Sequence, residues 1–222
     1  MSFEKFKDVG QGPTNACGAF ALAAALEDLG LVENIPAVLN TEDLLEGYNK
    51  PSRQAYAQRI YQVTGNLMLT DEIALYQVDA PARHQSPPSA LTSMAHRCGI
   101  DTSNIRTFYN EAAKEHFSRL ELVSKNPSLP NLFAAEFELI SRQSISVMED
   151  KYSKFPDKGQ VHLLGVNNNR HWIAINYDTC YDSACGSVSF YNRVGQLPLT
   201  TTFRTELQEY QFSGWWISLQ RN

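Results

Sequence analysis

The sequence lacks both a basic excess and a long apolar run. The net charge is −5 and no long run of like charge occurs, so we expect no basic face for nucleic acid or an anionic membrane surface. The longest apolar run, Ala16 to Leu26, has 11 residues, whereas a helix needs about 20 to cross a bilayer. These absences exclude a general nucleic-acid binder and predict no membrane span.

Cysteine is also scarce. Four cysteines in 222 residues are too few for a disulfide scaffold, so we expect reduced thiols. A disulfide between Cys180 and Cys185 is the alternative, although a shared loop is the favoured interpretation. Two cysteines without a second pair are weak evidence for zinc, and the sequence predicts no metal or organic cofactor.

The N-terminal apolar run lacks the charged flank of a signal peptide. Glu4 and Asp8 cancel the charges of Lys5 and Lys7, and the polar segment 10–15 precedes the run. We therefore expect an unprocessed N-terminus. The protein is expected in the cytoplasm, or outside it by a route of secretion or injection that needs no signal peptide.

Composition and periodicity together predict an α+β fold. Hydrophobic residues make up 43% of the chain and charged residues 19%, which suits a single domain over residues 1–222. From Cys17 to Leu29 the chain is rich in helix formers and apolar on nearly every side. This pattern predicts a buried helix that stops at Gly30.

The remaining elements are expected to fall into a helical region followed by a sheet. Residues 41–154 are predicted to be a mostly helical insertion or lobe, with helices at 51–65, 86–99, 110–125 and 131–152. Strands are expected at 160–166, 171–177, 187–192 and 215–219, separated by turns at 167–169, 179–186 and 195–198. Consecutive strands with short links predict an antiparallel sheet.

Cys17 begins the predicted buried helix. The unpaired N–H groups and the positive end of the helix dipole favour a thiolate at this position. The alternative is a small core residue, because free cysteine is often buried.

His171 begins a strand, and a pairing argument gives it a partner. If strands 171–177 and 187–192 form a hairpin, Ile175 faces Val188, Ile173 faces Phe190, and His171 faces Asn192. Directly opposed residues lie close enough for an amide to orient an imidazole. Because this register also matches apolar residues with apolar residues, we expect the buried helix to dock on that face and to bring Cys17 to His171.

A thiol, an imidazole and an orienting amide are the groups needed for acyl transfer through a thioester. Such chemistry also needs donors for the developing oxyanion. The backbone N–H of Cys17 is one donor. Gln11 lies six positions before the cysteine across a turn-like segment, so its amide is the expected second donor.

The segment from Gln11 to Gly18, the later His171-Trp172 pair and Asn192 after a strand resemble the papain-like cysteine peptidase superfamily. The order of these residues and the glutamine-to-cysteine spacing both match. The opening is also similar to that of bacterial peptidases that cleave double-glycine leader peptides and of papain-like bacterial effector proteases. The resemblance implies a papain-like fold, with the catalytic helix packed on a C-terminal antiparallel sheet.

The resemblance also implies a role for each matched residue. Gln11 would build the oxyanion hole, Cys17 would attack, His171 would be the base and Asn192 would orient it. Trp172 follows the base and is expected either to line the substrate site or only to pack in the core.

Two aspartates are rival orienters of the histidine. Asp178 lies seven residues along the strand from His171, which is about 23 Å at strand rise and too far unless the strand bends back. Asp182 falls in the predicted loop and is expected to be solvated. His162 is interpreted as structural.

The sequence predicts a cysteine hydrolase that cleaves a peptide or amide bond of a protein or peptide substrate. The same thiol chemistry would also serve a deamidase or an acyl or amine transferase. A non-catalytic papain-like module that binds a partner protein is the alternative from a different class. The pattern does not indicate an oligomeric state.

Overall fold

The computed structural model describes residues 3–35, 52–65, 67–68, 75–76, 85–119, 132–150, 152–193, 197–198 and 202–221. Within these ranges the chain has an α+β fold, as the sequence predicts. Its α-helices are α1 Cys17–Asp28, α2 Arg53–Thr64, α3 Pro88–Arg97, α4 Glu111–Arg119 and α5 Leu132–Arg142. Short 3-10 helices cover Phe3–Phe6, Val32–Asn34 and Thr102–Asn104.

The strands form one large sheet and two small ribbons. They are β1 Leu67–Met68, β2 Leu75–Tyr76, β3 Ile105–Tyr109, β4 Ser146–Glu149, β5 Tyr152–Ser153, β6 Gln160–Val166, β7 His171–Ile175, β8 Thr179–Asp182, β9 Ser187–Phe190, β10 Leu197–Pro198, β11 Thr202–Arg204 and β12 Glu209–Gln220. The large sheet has the order β4-β3-β12-β6-β7-β8-β9, with β11 beside β12. Its neighbours are antiparallel except β3 and β4.

Helix α1 is buried along its length, and only Glu27 among its residues is not buried. Alanines fill much of the helix, so neighbouring elements approach its backbone closely. Phe20, Leu22 and Leu26 supply the large side chains, each 1% exposed or less. Full burial of such a side chain is worth about 1.5–3 kcal/mol, so this helix anchors the helical side of the core.

The sheet separates two apolar clusters. Trp172 and Ala174 of β7 face α1 and the other helices, whereas Ile173 and Ile175 face a second cluster built from β11, β12 and neighbouring aromatic residues. The expectation that α1 covers the Ile173 and Ile175 face is therefore wrong. It assumed that one face of the strand is apolar, but both faces of β7 are buried and α1 packs on the other one.

The predicted hairpin between β7 and β9 is also wrong. Strand β7 pairs with β8, with Ala174 opposite Tyr181, and β9 pairs with the far side of β8. The sequence predicts a turn over the stretch that contains β8, whereas the structure has a four-stranded meander of β6, β7, β8 and β9. The chain reverses instead at Asn176, whose side chain accepts hydrogen bonds from the backbone N–H groups of Asp178 and Thr179.

The middle of the chain departs from the helical prediction at two places. Helix α5 ends at Arg142, and β4 follows where the helix was expected to continue to residue 152. Strand β3 was not predicted, and it joins β4 to the large sheet. The expected helices at 51–65 and 86–99 correspond to α2 and α3. Residues 41–51 and 120–131, which fall in the predicted helical region, lie outside the described residues.

A bulge in β12 depends on a glycine. The pairing of β12 with β6 shifts between Phe212 and Trp216, and Gly214 in this interval has φ +85. The Gly214 carbonyl accepts from the Asn110 N–H, and the Asn110 side chain caps α4 through the N–H of Ala113. A Cβ on Gly214 would overlap the Asn110 amide, so only glycine fits.

The turn before β7 consists of three asparagines in the left-handed region. Asn167, Asn168 and Asn169 have φ values of 55, 60 and 56, a conformation that asparagine tolerates better than most residues. The turn delivers His171 as the first residue of β7. None of the helices in the described part of the chain is long and apolar enough to cross a membrane.

Candidate active site

Cys17 is the first residue of α1 and is 2% exposed. The residue before it, Ala16, makes no side-chain capping bond, and the first turn carries no acidic residue. The N–H groups at this helix end are therefore not consumed by a capping side chain. They and the helix dipole favour negative charge on the sulfur.

The residue after the cysteine has no room for a side chain. A Cβ on Gly18 would lie 3.0 Å from Ser86 Cβ and 3.2 Å from Trp172 Cδ1. Trp172 is 2% exposed and packs against this position. Its burial fits the packing interpretation, and a contact between Trp172 and substrate stays a prediction.

His171 lies between Cys17 and a carboxylate. Its Nε2 is 2.7 Å from Oδ1 of Asp182, and the thiol of Cys17 is a second hydrogen-bond partner of the ring. Since Nε2 is occupied by Asp182, Nδ1 is the nitrogen left to face the sulfur. The structure thus brings together the thiol and the imidazole that the sequence singled out, which are far apart along the chain.

The surroundings of His171 favour its charged form. Burial alone would lower the pKa of the imidazole, but the hydrogen bonds and charges of Asp182 and Cys17 raise it to about 10. At neutral pH the arrangement therefore favours an imidazolium beside the sulfur of Cys17. The imidazolium holds the proton that a leaving group requires.

Asp182 ends β8 and its side chain is 3% exposed. Its Oδ1 accepts from His171 and from the N–H of Ala184 at 2.7 Å. Its Oδ2 accepts from the Tyr210 hydroxyl and from the Gln208 amide, also at 2.7 Å. Burial would raise the pKa of this carboxyl, but the contacts with His171, Tyr210 and Ala184 lower it, so it stays ionised.

The expectation that Asp182 is a solvated loop residue is wrong, and Asn192 does not take its place. Asn192 is exposed and follows β9, where the N–H of its neighbour Tyr191 bonds the Asp178 carbonyl. This is the end of β7 opposite to His171. Thr179 and Tyr181, two residue types that favour strands, follow an asparagine-led turn, and this is the signal that could have identified β8.

Gln11 is held beside the site by the turn after β8. Its N–H donates to the Ser183 carbonyl at 2.9 Å, and its Oε1 accepts from the Ser183 hydroxyl at 2.7 Å. Its Nε2 donates to the Thr14 carbonyl at 2.7 Å. The bond to Oε1 fixes the orientation of the amide, so that Nε2, which carries two N–H donors, is directed into the loop that leads to Cys17.

Two further side chains near the sulfur were missed. Gln85 directs its Nε2 to Cys17 Sγ at 3.6 Å, and no sequence signal marks it. Tyr61 of α2 is close enough for the charge of Cys17 to raise the pKa of its hydroxyl, although burial is the larger cause.

The other cysteines and histidines lie in different environments. All four cysteines are free thiols. Burial raises the pKa of Cys98 to about 12 and that of Cys180 well above its usual value. Burial lowers the pKa of His162 to about 3, so it is neutral. No group of three or more metal-binding side chains occurs in the ranges that the structure describes.

The chain was compared with known proteins. A family model described as "Invasion plasmid antigen J, cysteine protease" matches residues 10–222. No curated protein and no solved structure matches the chain. The matched range includes every residue of the site described above, and it confirms the cysteine peptidase type predicted from the sequence.

Proposed function

Because the chain belongs to the Invasion plasmid antigen J cysteine protease family, it is a cysteine protease, and we propose that it cleaves a peptide or amide bond through a thioester intermediate. Cys17 is the nucleophile, His171 carries the proton and Asp182 orients the imidazole. The oxyanion hole consists of the Cys17 N–H and the Gln11 amide. Asp182 replaces Asn192, which the sequence favoured for the orienting role.

The first half of the reaction forms the acyl-enzyme. The Cys17 thiolate attacks the carbonyl carbon, and the electron pair of the C=O bond moves to oxygen, where the Cys17 N–H and Gln11 Nε2 donate to it. When the tetrahedral species collapses, the C–N bond breaks. The proton of the His171 imidazolium passes to the leaving nitrogen, which leaves neutral imidazole and a thioester on sulfur.

The second half releases the acid. Neutral His171 takes a proton from water as the oxygen attacks the thioester carbon. The C–S bond then breaks, which restores the thiolate beside the imidazolium. Asp182 remains ionised throughout, because it accepts hydrogen bonds from both the ring and two further side chains.

The observation that carries this proposal is that His171 contacts both Cys17 and Asp182. The position of the thiol at the start of a buried helix that packs on the sheet also supports a papain-like arrangement of a single domain. Strands β3 and β4 support it further, because they join the middle of the chain to the same sheet.

Selective alkylation tests the site. Iodoacetamide at pH 6 should modify Cys17 far faster than Cys98, with the modified peptides quantified by mass spectrometry. Burial alone would predict slow reaction of both thiols, since each is 2% exposed or less. Equal slow rates would contradict the proposal and favour a non-catalytic binding module that keeps the same scaffold.

The acyl acceptor decides the exact class. Water at a backbone amide gives a protease, water at a glutamine side chain gives a deamidase, and an amine gives a transferase. The family favours the protease. A peptide-library cleavage screen, run beside labelling of protein substrates with an amine probe, should give new peptide termini that Cys17→Ala does not produce. Amine incorporation without cleavage would contradict the protease assignment.

The site of action is a further part of the proposal. The family description as an invasion antigen supports a bacterial effector that is injected or secreted to reach a protein substrate.

A further inference from the structure

Gln85 lies at the reacting sulfur although it is 68 residues from Cys17 in the sequence. Its Nε2 is 3.6 Å from Sγ, a distance suitable for an N–H donor to sulfur. The side chain is half-buried, so water competes only in part for this amide.

The backbone that carries Gln85 is fixed on both sides. The next residue, Ser86, is 1% exposed, and its hydroxyl lies 2.7 Å from that of Thr64 at the end of α2. Because the Thr64 hydroxyl donates to the Ile60 carbonyl, Ser86 is the donor in this pair. On the other side, Ser86 Cβ packs against Gly18 of α1. The contacts of Ser86 therefore fix the backbone that places Gln85 beside the sulfur.

The second glutamine of the site is differently placed. Gln11 uses its Nε2 on the Thr14 carbonyl and its Oε1 on the Ser183 hydroxyl. The amide that donates to sulfur before substrate arrives is thus that of Gln85. The sulfur therefore has two hydrogen-bond partners in this structure, His171 and Gln85.

We propose that Gln85 is a catalytic residue that donates a hydrogen bond to the Cys17 thiolate and stabilises it against the neutral thiol. This inference rests on the proposed function, since it assumes that the thiolate is the nucleophile. Gln85 thus stabilises negative charge on the resting sulfur, and Gln11 stabilises negative charge on the oxyanion.

The test measures the rate at which iodoacetamide alkylates Cys17 in the full chain from pH 3 to pH 10. A hydrogen bond to a charged group is worth about one pH unit of ionisation, so Gln85→Ala should shift the rise in rate to higher pH by about one unit. On the rising part of the profile this variant should react about tenfold more slowly, and at high pH the two rates should converge. Gln85→Glu should shift the rise further, because its carboxylate repels the thiolate.

A matched control is Gln220→Ala, which removes an exposed glutamine at the end of β12 that contacts Gln160. This variant should react like the wild type over the whole pH range. A profile of Gln85→Ala that is not shifted would overturn the inference, and so would equal slowing at every pH, which would indicate altered access. Thermal unfolding establishes that each variant is folded.

The same experiment separates this inference from the proposed function. If wild-type Cys17 reacts no faster than Cys98 at pH 6, the proposed function fails. If wild-type Cys17 is fast and Gln85→Ala is equally fast, only the role of Gln85 fails.

Discussion

Replacing Asp182 by asparagine is the sharpest test of the orienting residue. All four hydrogen bonds of the carboxylate are accepted ones, two at each oxygen. An asparagine must turn its NH₂ group either toward His171 and Ala184, which both donate, or toward Gln208 and Tyr210. In the second orientation the Tyr210 hydroxyl must rotate to accept and the Gln208 amide must turn over. Neither orientation keeps all four hydrogen bonds as they are.

The expected loss follows from these contacts. Burial of unsatisfied donors costs about 1–3 kcal/mol each, and Gln208, which is half-buried, can turn to water. We expect Asp182→Asn to lower the free energy of unfolding by about 2–4 kcal/mol. Loss of an orienting carboxylate lowers turnover by about 10³–10⁴-fold, and we expect a similar loss in kcat/KM here.

The pH profile provides a second readout. Because the pKa of His171 is raised to about 10, activity should persist at alkaline pH and fall as the imidazolium loses its proton. Asp182 is one cause of the raised pKa, so the alkaline limb of Asp182→Asn should lie at lower pH. The free energy of unfolding should also fall as the pH rises. The raised pKa of His171 stabilises the fold fully below about pH 6.5, and this contribution is lost as the pH rises toward 10.

Two controls match the substitution. Asp178→Asn makes the same chemical change in the turn before β8, and Asn192→Ala removes the residue that the sequence favoured. Both should retain wild-type kcat/KM. The reasoning is refuted if folded Asp182→Asn keeps more than about a tenth of the wild-type activity, or if its alkaline limb does not move.

The remaining predictions concern the oxyanion and the scaffold. Gln11→Ala should lower kcat about 10²–10³-fold, and an unchanged kcat in steady-state assays would remove Gln11 from the oxyanion hole. Gly214→Ala should lower the free energy of unfolding, measured in urea, by about 2–4 kcal/mol. Gly159 has nearly the same φ but open space around it, so Gly159→Ala should lower it by only about 1 kcal/mol. Equal losses would contradict the steric argument. Burial raises the pKa of Glu136 to about 7 although Ser89 hydrogen bonds oppose the shift, so stability should fall by about 3 kcal/mol as the pH rises from about 4.5 through 7. Glu136→Gln should abolish that pH dependence, and an equal fall in the variant would assign it to other groups.

The sequence was sufficient to single out the thiol and the imidazole that the structure brings together. Cys17 and His171 stand at the first positions of a helix and a strand whose apolar patterns are strong. Element starts can be identified from such patterns, and the chemistry of a thiol at a helix N-terminus is independent of the rest of the fold.

The orienting residue could not be located in the same way, because it depends on register. The pairing that put Asn192 beside His171 matched apolar residues on one face of β7. Since both faces of β7 are buried, the apolar pattern fits more than one pairing. Burial of Asp182 itself depends on Tyr210, a contact between distant strands that no local pattern encodes.

The turn after β8 explains why the two halves of the site stay aligned. Asp182 holds the His171 ring, and the next residue, Ser183, holds Gln11 through its carbonyl and its hydroxyl. Tyr181, on the other face of the strand, donates to the Val9 carbonyl, so the segment that leads into α1 is attached to the same strand. Because side chains alternate along a strand, a one-residue slip of β8 would move the carboxylate away from the imidazole and release the Gln11 amide at the same time. One short strand therefore holds both the His171 ring and the segment that leads to Cys17.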